Sequence, residues 1–275
     1  RLEQKELRRA ASRLSFATMT SLPIQVLWTT LATLILTVCG VNFMGPNTIG
    51  DFPPTAYYLI SSIASFLSIV LPFSFFLFFG KRKLSDTVLV EKNGVLNSVL
   101  LVFAGLAVSV LMNIPANLIS QLLEGAGLNG DANTADLLAM TPVQALTMFV
   151  SVVLVAPVTE EFAFRSVTTA VMRRWGDWPA VIFSALIFGM AHYSIQSLPV
   201  VLMAGFVMAL LYVRTRNIWV NIFVHMLNNL LATLPIALEG LVGADAANIA
   251  SNLLTYIVYG LGLIALVVLL IRNFT

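Results

Sequence analysis

Residues 143–172 read VQALTMFVSVVLVAPVTEEFAFRSVTTAVM, an apolar run that contains two glutamates and one arginine. A helix needs about 20 predominantly apolar residues to cross ~30 Å of hydrocarbon, and this run is long enough to do so. An unpaired charge at the centre of such a helix costs ~2.5–3.5 kcal/mol on the translocon scale. The stretch therefore predicts a transmembrane helix in which Glu160, Glu161 and Arg165 have a function.

The composition extends this prediction to the whole chain. Of the 275 residues, 59% are hydrophobic and 10% are charged, and the mean hydropathy is +0.92. Soluble domains are only about 45–50% apolar, so the chain is expected to be a membrane protein. Further apolar runs lie on both sides of the first, so that the set is 22–45, 56–79, 96–120, 143–172, 179–193, 198–213, 218–236 and 252–271.

These runs predict an all-α, polytopic bundle of about eight transmembrane helices, forming a single domain over residues 1–275. Strands are not expected, because the runs are continuous and do not alternate between apolar and polar residues. The fifth and sixth runs are short and are separated by only four residues, which predicts a hairpin shielded by neighbouring helices. The polar residues of interest fall within 143–236, the predicted functional core.

Basic residues precede the first predicted span and follow the second, fourth, sixth and eighth spans, so that all of them lie on one side of the membrane. This pattern indicates the orientation of the chain. The residues are Arg1, Lys5, Arg8, Arg9, Arg13, Lys81, Arg82, Lys83, Lys92, Arg173, Arg174, Arg214, Arg216 and Arg272. By the positive-inside rule both termini are expected in the cytoplasm. The net charge of +2 thus reflects topology and gives no indication of nucleic-acid binding. We interpret the basic, amphipathic segment 1–16 as a helix on the membrane surface.

Helical geometry separates the two glutamates of the fourth run. Arg165 follows Glu161 by four residues and lies on the same face, which predicts an ion pair, whereas Glu160 points elsewhere. Pro157 is expected to kink the helix and displace the carbonyl of Val153. A kink beside a carboxylate opens room for water. Alternatively, Glu161 and Arg165 form a structural ion pair that holds this helix and nothing more.

The two histidines of the chain, His192 and His225, lie in later apolar runs at a depth similar to that of Glu160. Together these groups predict a hydrolytic site in which the carboxylate takes a proton from water and a histidine positions that water. Asn229 lies one helical turn after His225 and is a candidate to stabilise the oxyanion.

Three alternatives remain open for this polar set. The side chains of Glu160, His192 and His225 are also a ligand set that could bind a divalent metal such as zinc, although no His-Glu-x-x-His motif is present. A buried histidine can instead hydrogen-bond a neighbouring helix. A proton relay would use the same residue types, but the sequence has no repeat typical of transporters. The sequence does not require a cofactor.

Three ordered motifs resemble those of one protein family. Glu160-Glu161-Phe-Ala-Phe-Arg165 matches Glu-Glu-x-x-x-Arg, Phe188 to His192 matches Phe-x-x-x-His, and His225 to Asn229 matches His-x-x-x-Asn. In this order they resemble the CAAX proteases and bacteriocin-processing enzymes, the CPBP or Abi family of intramembrane glutamate-type endopeptidases.

The resemblance implies an eight-helix fold with an active site in a cavity open toward the cytoplasm. It implies that Glu160 is the water-activating base with His192 as its partner, that His225 and Asn229 stabilise the oxyanion or position water, and that Glu161 and Arg165 support them. The expected substrate is a peptide or a membrane-anchored protein segment, in a bacterial inner membrane. Because bacteria lack the usual prenylated substrates, the CAAX specificity is not expected here. The alternative function is a non-catalytic immunity or scaffold protein.

Overall fold

The computed structural model describes residues 2–40, 54–128 and 140–274, and these residues are predominantly helical. Within them, the only β pairing is an isolated bridge between Val90 and Asn217. The helices, labelled in chain order, are α1 (Leu2–Met19), α2 (Ser21–Val38), α3 (Thr55–Phe79), α4 (Val95–Gly125), α5 (Pro142–Trp175), α6 (Asp177–Met190), α7 (Leu198–Thr215), α8 (Ile218–Val242) and α9 (Ala244–Phe274).

The prediction of an all-α membrane bundle is confirmed. Counting α1 and α2 as one span, seven helical segments of the described residues are long and apolar enough to cross a membrane. The remaining predicted run corresponds to α6, which has 14 residues and a length of roughly 21 Å, less than the hydrocarbon thickness. It packs against α7, as expected for a shielded hairpin.

Helix α5 is wider than an ordinary α-helix on both sides of Pro157. Residues Phe149–Val155 and Glu161–Thr169 form π-helical turns, in which an N–H group bonds the carbonyl five residues earlier. Ala156, for example, donates its N–H to the carbonyl of Ser151. In this register Pro157, which has no N–H, would face Val152 rather than Val153. The carbonyl that lacks a donor because of Pro157 is therefore that of Val152, one residue before the predicted Val153.

Helix α1 continues almost directly into α2, with only Thr20 between them. The apolar face of α1 packs on the main core of the bundle through Leu7, Ala10, Leu14 and Ala17. It contacts the last turns of α3 and the end of α5. The predicted amphipathic helix is present, but it is held against the bundle and does not merely rest on the membrane surface.

Cross-helix contacts bring the basic clusters to one end of the bundle. Glu6 pairs with Arg174 at the end of α5, and Glu91 pairs with Arg216 at the end of α7. At the same end, Arg272 of α9 donates a 2.7 Å hydrogen bond to Asn97 at the start of α4. This arrangement agrees with the common side predicted from the charges. The assignment of that side to the cytoplasm stays a prediction.

Candidate active site

The ion pair predicted on α5 is present and fully buried. Arg165 Nε lies 3.3 Å from Glu161 Oε2, and both side chains have 0% exposure. The guanidinium also lies over the ring of Phe188, with its carbon 4.1 Å from the ring centroid. Gly205 permits this packing, because a Cβ atom there would lie 2.8 Å from the Phe188 ring. Removal of either charge would leave the other uncompensated in the core.

Two groups from α8 complete the environment of Glu161. His225 Nδ1 lies 2.9 Å from Glu161 Oε1, and Asn221 Nδ2 donates to Glu161 Oε2 at 3.3 Å. Asn221 also donates to the backbone carbonyl of Met208 at 2.6 Å. Because a carboxylate only accepts hydrogen bonds, His225 Nδ1 is the donor and the ring is held with Nε2 pointing away from Glu161. The sequence places Asn221 on the same face as His225 but gives no reason to assign it this contact.

Glu160 has a different environment from its neighbour. Its Oε2 atom is buried and has no hydrogen-bond partner among the described residues. The nearest charged or ionisable contact is His225 Nε2 at 3.8 Å, beyond hydrogen-bond length. The side chain lines a cavity of about 160 Å³ together with His192. Glu160 is thus the carboxylate that faces open space, as helical geometry predicts.

His192 lies at the exposed side of the same cavity, just after the end of α6. Its Nδ1 atom is 2.8 Å from the carbonyl oxygen of Phe188. Since a carbonyl only accepts, Nδ1 carries the proton in this contact, and Nε2 has no partner within the described part of the chain. The Phe188 ring packs edge-on against both imidazoles, with centroid distances of 4.7 Å to His192 and 6.0 Å to His225.

Asn229 is directed to the backbone of α5 and does not line this cavity. Its Nδ2 atom donates a 2.9 Å hydrogen bond to the carbonyl of Val152. This is the carbonyl that Pro157 leaves without a donor in the π-helical register. The structure therefore gives Asn229 a backbone-satisfying contact, while its expected oxyanion role stays a prediction.

The opposite wall of the cavity comes from residues that the sequence analysis missed. It is lined by hydroxyl and amide side chains of the first two spans, namely Thr18, Ser21, Gln25, Ser65 and Ser68. Tyr193, which follows His192 and has a positive φ of 51°, completes the wall through a 2.8 Å hydrogen bond with Ser21. The signal available in the sequence was the spacing of Thr18, Ser21 and Gln25 along one helical face.

The described residues do not form a ready metal site. No group of three His, Cys, Asp or Glu side chains among them is arranged to hold one ion. Of the three predicted ligands, Glu160 and His192 line the cavity. His225 does not line it, and its Nδ1 atom bonds Glu161 while its Nε2 atom lies 3.8 Å from Glu160 Oε2. Binding of a metal by these three residues stays a prediction.

Comparison with known proteins finds one family model that matches the segment containing this site. Residues 142–231 match the family model described as "Type II CAAX prenyl endopeptidase Rce1-like", and this segment contains all six predicted site residues. The matched segment is about a third of the chain, and over this segment the chain resembles the CPBP family. A relative from Bacillus subtilis (strain 168), named "Putative membrane peptidase YdiL", is 31% identical over 140 residues. That alignment covers 50% of this chain and 57% of the relative. No solved structure matches the chain significantly.

Proposed function

We propose that this protein is a CPBP-type intramembrane endopeptidase that hydrolyses a peptide bond with water activated by Glu160. One observation carries the proposal: the Glu160 side chain lines a polar cavity together with His192, and its buried Oε2 atom has no hydrogen-bond partner among the described residues. A buried carboxylate oxygen without a protein partner needs a hydrogen-bond donor, and a substrate water is a suitable one. The family match and the name of the YdiL relative point to the same class of reaction.

In the proposed reaction, Glu160 and His192 act on one water molecule. Glu160 takes a proton from water, and the resulting hydroxide forms a bond to the carbonyl carbon of the scissile amide. His192, whose Nε2 has no partner among the described residues, accepts a hydrogen bond that orients the water. The oxyanion then collapses, the C–N bond breaks, and the proton held by Glu160 passes to the leaving amine.

The network around Glu161 holds the second imidazole in place during this reaction. Glu161 fixes the orientation of His225 through Nδ1, so that Nε2 is directed toward Glu160. When Nε2 carries a proton, it can donate a hydrogen bond to the oxyanion. Removal of one comparable donor lowers the rate of an enzyme by about 10²–10³. The proposed steps use no metal ion. Elemental analysis of the purified protein tests this part of the proposal.

The substrate class that we propose is a peptide or a membrane-anchored protein segment in the bacterial inner membrane. The cavity wall formed by Thr18, Ser21, Gln25, Ser65 and Ser68 offers hydroxyl and amide groups that can bond a peptide backbone. We do not extend the prenyl specificity in the family description to this chain. The cavity is proposed to open toward the cytoplasm, the side to which the basic residues are assigned.

The test compares peptides produced in membranes that contain wild-type protein, Glu160→Gln or Glu124→Gln. Glu124 is an exposed glutamate near the end of α4, outside the cavity lining, so it controls for the chemical change itself. We expect Glu160→Gln to abolish a specific set of cleavage products, with a rate loss of about 10²–10⁴, while Glu124→Gln retains them. If a verified substrate is cut at the normal rate by Glu160→Gln protein, Glu160 is not the base.

A non-catalytic binding role is the second candidate. It is favoured by a buried polar network, whose four members can all be explained by a structural role: Glu161, Arg165, Asn221 and His225. Immunity complementation separates the two functions. Protection that survives Glu160→Gln and His192→Ala would indicate binding, whereas loss of protection together with loss of cleavage products would indicate proteolysis.

A further inference from the structure

The outward face of α1 carries a concave basic surface that lies outside the proposed active site. Lys5, Arg8, Arg9 and Arg13 line a pocket of about 600 Å³ together with Gln4 and Ser12. All six side chains are exposed. We call this surface the α1 basic pocket, and we propose that it binds the phosphate headgroup of an anionic phospholipid.

The cations of the α1 basic pocket have no counterion among the described residues. Among the residues that the structure describes, the ion pair made by α1 is that of Glu6 with Arg174, and Glu6 does not line the pocket. No carboxylate of the described chain lies within ion-pair distance of the four pocket cations. Guanidinium groups bind phosphate oxygens through two parallel hydrogen bonds, so three arginines around one concavity suit a phosphate monoanion or diester.

An apolar track continues from the pocket along the same face of the helix. Phe16 and Met19, which are 70% and 64% exposed, follow Arg9 and Ser12 by seven residues and therefore lie above them after two turns. A headgroup bound by the arginines would place its acyl chains along these two side chains. The surface is thus matched to an amphiphile, and a free phosphate ion would use only part of it.

The length of the α1–α2 segment puts the pocket at the level of the headgroups. Leu2–Val38 has 37 residues and would extend roughly 55 Å, whereas the hydrocarbon layer is about 30 Å thick. About 17 residues must therefore lie outside the hydrocarbon. The change from Arg13 to Phe16 on the exposed face lies near that boundary.

Packing of the opposite face keeps the pocket directed outward. Leu14 and Ala17 are buried in the main core, at 0% and 5% exposure, so α1 cannot rotate about its axis without losing these contacts. One turn later Thr18 and Ser21 line the active-site cavity. A lipid bound to α1 would consequently stabilise the helix that forms one wall of that cavity.

The experiment measures lipid binding to the detergent-purified full chain by native mass spectrometry, with phosphatidylglycerol as the anionic probe and phosphatidylcholine as the neutral one. We expect tighter binding of phosphatidylglycerol, and a loss of roughly 30-fold in its affinity for the double variant Arg9→Gln with Arg13→Gln. Binding of phosphatidylcholine should not change. Circular dichroism checks that the variant is folded, since neither substitution touches the packed face of α1.

The matched control removes two positive charges elsewhere at the same end, through Lys81→Gln with Arg82→Gln. These residues are exposed after α3 and do not line the pocket. The control should retain wild-type affinity for phosphatidylglycerol. An equal loss in both double variants would show that the attraction is general electrostatics and would overturn the proposal, as would wild-type affinity in the Arg9 and Arg13 variant.

A third variant distinguishes a lipid from a free anion. Phe16→Ser should weaken phosphatidylglycerol binding several-fold because it removes part of the acyl-chain track. Inorganic phosphate in large molar excess over the lipid should displace little of the bound lipid. If Phe16→Ser has no effect and inorganic phosphate displaces the lipid fully, the pocket is a site for free phosphate and the assignment to phospholipid is wrong.

Discussion

Glu160 and Glu161 are consecutive carboxylates on one helix, yet their surroundings are opposite. Glu161 is completely buried and contacts Arg165, His225 and Asn221. Glu160 faces a cavity, and its buried Oε2 has no hydrogen-bond partner among the described residues. A carboxylate with three partners is held in place, whereas one without a partner is available for chemistry. This difference supports the proposal that Glu160 reacts and that Glu161 holds the site in place.

The largest change in stability is expected at the buried ion pair of Glu161 with Arg165. Arg165→Met removes the charge that compensates Glu161 in the core, and we expect a loss of about 3–5 kcal/mol in the free energy of unfolding. Equilibrium unfolding in mixed detergent micelles measures the change. The double variant Arg165→Met with Glu161→Gln should recover part of that loss, because it leaves no unpaired charge.

Arg174→Met is the matched control for this prediction. Arg174 pairs with Glu6 at the surface, where the two side chains are 60% and 44% exposed. Exposed pairs contribute only about 0–1 kcal/mol, so the control should unfold nearly as the wild type does. Equal destabilisation by both arginine substitutions would mean that the buried network has no special role.

A smaller effect is expected where α8 supports the backbone beside the two glutamates. Asn229→Leu removes the donor to the Val152 carbonyl and leaves that group without a partner, which costs about 1–3 kcal/mol of stability. If Asn229 acts only on the backbone, the rate of cleavage by the folded variant should fall much less than in Glu160→Gln. Parallel unfolding and cleavage assays measure the two quantities, and a rate loss as large as that of Glu160→Gln would restore the oxyanion role.

The residues that were predictable from the sequence are those governed by local rules. Hydropathy predicted the helical runs, and the four-residue spacing predicted the pair of Glu161 with Arg165. The contact of Asn229 with Val152 was not predictable, because it depends on the π-helical register of α5 around Pro157. The wall formed by Thr18 and Ser21 was missed for another reason. It depends on how the first span packs against α5, and isolated hydroxyl groups in apolar helices usually bond their own backbone.

The hydrogen bond between Tyr193 and Ser21 in the cavity wall predicts a further, smaller change. Tyr193→Phe removes the 2.8 Å contact with Ser21 and should cost about 0.5–1.5 kcal/mol in the free energy of unfolding. Ser21→Ala also removes the hydrogen bond from Ser21 Oγ to the Thr18 carbonyl, so its loss should be at least as large. The double variant should lose little more than Ser21→Ala, because both substitutions break the bond between the two hydroxyl groups. Additive losses in unfolding experiments would show that the two hydroxyl groups act independently.

The smallest effect on stability is expected at the residue with the largest effect on activity. Glu160→Gln breaks no hydrogen bond within the described residues and removes a negative charge from a partly buried position, so the free energy of unfolding should stay within about 0.5 kcal/mol of wild type. Glu161→Gln, one residue later, should destabilise by several times as much because it leaves Arg165 uncompensated. Unfolding of the two variants under identical conditions tests whether consecutive glutamates have separate roles. Equal destabilisation would indicate that Glu160 belongs to the supporting network, and the carboxylate that activates water would then have to be sought elsewhere in the cavity.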